Sequence, residues 1–386
     1  DGLSSCLREF QKCLCQRFVA NAAPPREADG GLVNGWSRVG GILEFFGSAL
    51  WVASAEVIFG CPPLANEEGF RLALSFDSCL PTLTQISSKT MQQILCKEGF
   101  KAREIMVEKF KRVLSNEQRY DNGTISELTK EIDQTYSHFM TLDQRSRLFG
   151  LLIIASFFNT VPTTFWVVYH ILSDTEAYDA VCKEVLSLLR DKKIHKDGVN
   201  NEVDFSLSDL DTTPVLDSII SEALRLHTVN SVMRPRIATE DFELKLPARE
   251  GKLQFQVKKG EMVIASPTLA HRDKDVFKEP LSFQWDRFLP GENGVSPIFL
   301  QNGRQLRDPL CSFGGGSSLC PGRKFSLAEI KVVVGLMIAE YDMRFIGGIT
   351  PDPPEYLRTK TPRSFGMPAS DVAFELRRRS SSKAGY

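Results

Sequence analysis

Between Ser312 and Phe325 the chain reads SFGGGSSLCPGRKF, and no other stretch narrows the possible folds as much. Three consecutive glycines, Gly314, Gly315 and Gly316, free the backbone for tight turns and leave its amides uncovered. Cys320 follows, then Pro321, whose missing N–H suits a first helical position. From Phe325 to Tyr341 the sequence is apolar and reads as a buried helix. A sulfur just before a helix meets free N–H groups and the positive end of the dipole, which stabilise a thiolate. Such a thiolate is a nucleophile or a metal ligand. A glycine turn with an ordinary buried cysteine would share this composition. A phosphate loop would not, because no Gly-Lys-Ser/Thr closes the run.

The rest of the chain is large enough to enclose such a site. It has 386 residues, 42% of them hydrophobic, ample for a substantial core. Lys and Arg total 47 against 48 Asp and Glu, a balance that argues against nucleic acid as a main partner. Nine cysteines are scattered without a paired framework, which suits reduced, cytosol-facing thiols. Asp1 to Cys15 is charged and has no apolar segment, so no signal peptide is expected there. Leu148 to Leu172 has the length of a membrane span. It also carries Asn159, Pro162, Tyr169 and His170 without a flanking basic cluster, and reads as a buried central helix.

In chain order, residues 1–40 hold an amphipathic stretch, Leu3 to Phe18, and a Pro/Gly/Ala-rich linker from Pro24 to Gly31. An apolar helical run over 41–60 ends at Gly60, before Pro62 and Pro63. Helix is expected from Glu67 to Leu114, with breaks near Pro81 and Gly99. Asn122-Gly123-Thr124 reads as a turn, and Thr124 with Glu127 as a capping box. The central helix runs from Asp143 to Leu172, with Ser156, Asn159, Thr160 and Pro162 inside it. Polar groups and a proline there fit either a kinked core helix or a groove beside a cofactor.

A further helix, Asp174 to Arg190, leads to a charged loop over 191–204. Thr213 and Pro214 then open a helix to His227. On it Glu222 and Arg225 share a face among apolar neighbours, so a buried pair needing a third partner is expected. Arg287, in FQWDRF, is a candidate for that partner. Period-two alternation through Phe242, Leu244, Leu246 and Leu253, Phe255, Val257 predicts a small antiparallel sheet. Phe365 to Pro368 and Val372 to Leu376 read as a closing hairpin.

Four segments in this order carry a family resemblance: the central helix, the Glu-x-x-Arg helix, the aromatic-x-Arg-Phe segment and the cysteine loop. The pattern Phe-x-x-Gly-x-x-x-Cys-x-Gly (Phe313, Gly316, Cys320, Gly322) resembles the haem-ligand signature of the cytochrome P-450 family. SFFNTVPTTFW, TPVLDSIISEALRL and SFGGGSSLCPGRKFSLAEIK look most like its sterol 7α-/12α-hydroxylase and prostacyclin synthase group.

The resemblance implies a mostly α fold with minor β-sheets, the cytochrome P-450 fold lacking its N-terminal portion. It divides the chain into an N-terminal remnant (1–40), a partial catalytic domain (41–379) and a tail (380–386). The implied cofactor is haem b, with Cys320 as thiolate ligand to iron and Phe313, Gly316 and Gly322 shaping the loop. Arg236 matches the position that pairs with a haem propionate, with Arg234 as the nearby rival for that role. Ser318 stands where many members carry a second cation. Glu222, Arg225 and Arg287 match a structural triad, and Thr160 the hydroxyl that relays protons. Asn159 replaces the usual carboxylate, as in the sterol 7α-hydroxylase branch.

Phe157, Val232 and Met367 are the implied substrate-lining residues. The function implied is monooxygenation of a sterol or other lipid, with a NADPH-dependent reductase as partner and the cytosolic face of the endoplasmic reticulum membrane as location. Arg304, Arg307, Arg323, Lys324 and Lys331 would offer an acidic reductase a basic face. The alternatives are a haem-thiolate isomerase of lipid peroxides and a truncated chain without activity.

Overall fold

The computed structural model describes residues 2–22, 35–115, 126–191, 203–229, 236–247, 252–357 and 365–379. The chain divides into two units, one of residues 1–213, 324–361 and 367–386, the other of 214–323 and 362–366.

The first unit opens with helix α1 (Gly2–Asn21), which buries Leu7, Phe10, Leu14 and Phe18, a stripe at helical spacing. Strand β1 (Ser37–Gly41) leads into α2 (Ile42–Ala53). The Asp371 carboxylate caps α2 by accepting from the amides of Leu43 and Glu44 at 2.8 and 2.9 Å. Phe18 stacks on Phe45, and Phe46 on Phe374, knitting α1 and α2 into one aromatic core. After α2 the helix widens to a π turn over Ser54–Ile58 and stops at Gly60, whose φ of 54° suits glycine.

Four helices follow: α3 (Glu67–Asp77), α4 (Leu80–Gln85), α5 (Lys89–Leu95) and α6 (Lys97–Ser115). The breaks expected near Pro81 and Gly99 fall between Asp77 and Leu80 and at Cys96, with a further one between Gln85 and Lys89. Pro81 stands in the first turn of α4, just after the break, where its missing N–H is not needed. Gly99 lies inside α6, and the interruption falls at Cys96. A Cβ at Gly99 would come within 2.3 Å of the Cys79 sulfur, so the glycine serves close packing. Helix α7 (Glu127–Ser137) is capped by Ser126, whose hydroxyl accepts from the Thr129 amide, and not by Thr124. Thr124 and the turn before it lie outside the described residues.

Helix α8 (Leu142–Ser173) is the expected central helix, opened by a capping box of Thr141 and Gln144. It is long and apolar enough to cross a membrane, but 67% of its most apolar window is buried inside the protein, as for a core helix. It runs unbroken through Pro162. The Thr163 and Thr164 hydroxyls donate to the carbonyls of Asn159 and Thr160, at 2.6 and 2.9 Å. Helices α9 (Thr175–Asp191) and α10 (Leu207–Leu210) complete this part of the unit.

The second unit begins with α11 (Pro214–His227). Its strands are β2 (Arg236–Ile237), β3 (Phe242–Pro247), β4 (Lys252–Val257) and β5 (Met262–Val263). β3 and β4 pair antiparallel, with Phe242 opposite Val257, Leu244 opposite Phe255 and Leu246 opposite Leu253, so the alternating apolar residues share a face. Helix α12 (Pro267–His271) and the short pair β6 (Leu300–Gln301) and β7 (Arg304–Gln305) precede the cysteine loop.

Helix α13 (Arg323–Glu340) returns the chain to the first unit and is buried from Ala328 to Ala339. Strands β8 (Tyr341–Phe345) and β9 (Ala373–Arg378) follow. The expected closing hairpin is instead a three-stranded sheet of order β1-β9-β8, with β9 in the centre. β9 finds its second partner near the other end of the chain, a pairing that local alternation does not encode.

Candidate active site

The cysteine loop lies in the second unit. Gly314 and Gly316 take positive φ values of 83° and 57°, which folds the segment into tight turns. The Cys320 amide donates to the Phe313 carbonyl at 2.9 Å, closing the loop, and that of Gly314 to the Cys311 carbonyl at 3.0 Å. Helix α13 starts at Arg323, with Pro321 and Gly322 in the turn before it, so the sulfur sits three residues ahead of the helix. Arg323 donates back to the Cys320 carbonyl at 3.2 Å.

Cys320 is half-buried. Among the described residues nothing lies within 4 Å of where a Cβ would stand on Gly315, Gly316 or Gly322. A soft sulfur donor in a closed turn, with open glycine backbone on both sides, fits a flat iron macrocycle. Arg236 is exposed and donates to the Ser318 hydroxyl at 2.8 Å, so a cation stands directly beside the loop. Val232 and Arg234 lie outside the described residues.

Behind the loop stands a buried ion cluster. Glu222 accepts from Arg225 Nε and Nη2 at 2.7 and 2.8 Å, and from Arg287 Nε at 3.0 Å. Glu222 and Arg225 are fully buried and Arg287 nearly so. The Gln284 amide takes a further acceptor site on Glu222. Arg225 continues to the carbonyls of His271 and Pro280, and Arg287 to that of Lys278. The cluster thus binds α11 to the irregular segment 271–287, satisfying charge and carbonyls together.

His271 was not singled out from sequence as a site residue, yet it links this cluster to the loop. Its Nε2 accepts from the Cys311 amide at 3.0 Å, which places the ring proton on Nδ1. Burial, helped by the nearby Arg225 charge, pulls its pKa down to about 4. The ring is therefore neutral at physiological pH. The legible signal was a histidine beside an arginine and an aspartate, but its partner is 40 positions away.

In the first unit Thr160 is buried, and its hydroxyl shares a hydrogen bond with that of Ser326 at 3.1 Å. Asn159 is exposed. Phe157 packs edge-on against Trp51 and Phe70. Ser54, Trp51, Ser156, Phe157, Thr160 and Glu329 surround a cavity of about 10 Å³, room for one water. Glu329 is buried and accepts from the Ser54 hydroxyl at 3.3 Å. Burial pushes its pKa up to about 8. Met367 is buried in the same unit. Lys331 does not belong to a basic surface: it is buried and donates to the Leu210 carbonyl at 2.6 Å.

A family model described as "Cytochrome P450" matches residues 65–370. Cytochrome P450 7A1 of Sus scrofa is 29% identical over 351 residues, covering 87% of this chain and 66% of the relative. Cytochrome P450 7A1 of Rattus norvegicus is 32% identical over 296 residues, with 75% of this chain and 55% of the relative covered. The 7-alpha-hydroxycholest-4-en-3-one 12-alpha-hydroxylase of Homo sapiens is 31% identical over 232 residues, 59% of this chain and 44% of its own. The chain spans roughly half to two thirds of the length of these curated relatives. The match takes in the central helix, the buried ion cluster and the cysteine loop, and the chain belongs to the cytochrome P450 family.

Proposed function

We propose that this chain is a haem-thiolate monooxygenase that hydroxylates a sterol or another lipid, with electrons from a NADPH-dependent reductase at the endoplasmic reticulum membrane. The carrying observation is the closed turn that presents Cys320 between open glycines. The names of its relatives, 7-alpha- and 12-alpha-hydroxylases of sterols, support the substrate class.

Bound haem b would supply dioxygen activation at its iron. Cys320 would hold the iron through its sulfur, on a backbone whose amide is tied to the Phe313 carbonyl. Arg236 stands beside the loop and would pair with a propionate, with Ser318 as its present partner. The Thr160 hydroxyl would hold and pass a proton, and Ser326 orients it. Asn159 would add a neutral hydrogen-bonding group beside it.

The test is reconstitution with hemin, followed by the reduced carbon monoxide difference spectrum of the native chain and of Cys320→Ala. The native chain is expected to give the thiolate-type Soret band, and the variant to lose it entirely. A band that survives in Cys320→Ala, or a native chain that retains no haem, would overturn the assignment. Hydroxylation of a sterol that requires added reductase is then expected. Conversion of a lipid peroxide without electrons would favour the isomerase.

A further inference from the structure

Away from the Cys320 loop, two other thiols meet in the first unit. Cys79 sits at the turn between α3 and α4, and Cys96 at the break between α5 and α6, 17 positions later. The Cys96 thiol donates toward the Cys79 carbonyl at 3.7 Å, and burial, then the neighbouring Cys79 thiol, push the Cys96 pKa up. On its other side the Cys79 sulfur rests against Gly99, at a distance that no side chain would tolerate. The bare backbone of α6 thus makes room for this sulfur. Cys96 is 1% exposed, whereas Cys79 is half-buried. Cys79 is thus the more accessible residue of the pair, with Cys96 beside it.

We propose that Cys79 and Cys96 form a disulfide-forming oxidation site for hydrogen peroxide. In the first step the Cys79 thiolate attacks peroxide: an S–O bond forms, the O–O bond breaks, and hydroxide leaves. The sulfur loses two electrons and the departing oxygen gains them. The hydroxide takes up the proton that the Cys79 thiol released, giving water. In the second step the Cys96 sulfur attacks the Cys79 sulfenic acid. An S–S bond forms, the S–O bond breaks, and the hydroxyl departs as a second water with the Cys96 proton. The disulfide closes a loop that contains α4 and α5, which carry the exposed apolar residues Met91, Ile94 and Leu95. It ties the end of α3 to the start of α6 and restrains that apolar segment. A bond formed by peroxide and removed by thiols suits a reducing compartment, where protein disulfides are transient.

The test needs no haem and is independent of the monooxygenase reading. The reduced, folded chain is treated with hydrogen peroxide, remaining thiols are alkylated, and the trypsin digest is weighed without reduction. Cleavage after Arg71, Lys89 and Lys97 separates Cys79, in 72–89, from Cys96, in 90–97. The two peptides are expected joined, lighter by two hydrogens than their sum, and released by dithiothreitol. In Cys96→Ser the joined peptide is expected to vanish and Cys79 to be trapped by dimedone as a sulfenic acid. Recovery of both peptides singly alkylated overturns the proposal. So does the joining of Cys79 mainly to any other cysteine.

Discussion

Glu222→Ala is expected to destabilise the protein by about 3–5 kcal/mol, the cost of leaving a buried charge without its partner. Arg225 is fully buried, and its Nε and Nη2 both point at the Glu222 carboxylate. Alanine would strand this guanidinium and remove the acceptor of Arg287 Nε and of the Gln284 amide. A loss of that size is a large part of the roughly 5–15 kcal/mol that holds a typical domain folded. The damage should reach the cysteine loop, because Arg225 also holds the His271 carbonyl while the His271 ring holds the Cys311 amide. Urea unfolding should show a sharply lower midpoint, and amide exchange at Cys311 should quicken in the folded state. A variant within about 1 kcal/mol of the native chain would mean that the cluster is replaceable.

What the sequence revealed of this site follows from the range of each interaction. Glu222 and Arg225 were legible as a buried pair because three positions on an apolar helix put them on one face. The turn at Cys320 was legible because glycine spacing and a proline are local instructions. Other features rest on partners far along the chain. Thr160 meets Ser326 across 166 positions, and Lys331 is buried against a carbonyl 121 positions away. A basic residue near a loop reads as surface until such an acceptor is in view. Gly99 marked a break that falls three positions earlier, at Cys96, but not its own role inside α6, which is to admit a sulfur from far outside its helix.

Glu329 gives the clearest expected pH effect. Its carboxyl is buried beside Ser54, and burial raises its pKa to about 8 from the 4.5 of a free glutamate. Cys6 is the titratable group that faces it from α1, and its own pKa is raised by burial and by Glu329. A thiol raised in this way stays neutral across the range at issue. Between pH 4.5 and 8 the folded chain keeps the Glu329 proton while the unfolded chain gives it up. The unfolded state then binds fewer protons, so stability must fall as pH rises through that window, and it levels off above it. Glu329→Gln keeps the shape and a neutral hydrogen-bonding group, and should match the native chain at pH 5. At pH 9 the variant should be the more stable by up to roughly 4–5 kcal/mol, since each tenfold gain in proton affinity on folding is worth about 1.4 kcal/mol. Melting temperatures of both proteins at pH 5, 7 and 9 decide it, and parallel profiles would show that Glu329 ionises freely. Near neutral pH the same burial keeps a proton on Glu329, in the wall of the one-water cavity that Thr160 also lines. Burial holds that proton against the opposing pull of the Ser54 hydrogen bond, and releasing it costs the folded chain stability.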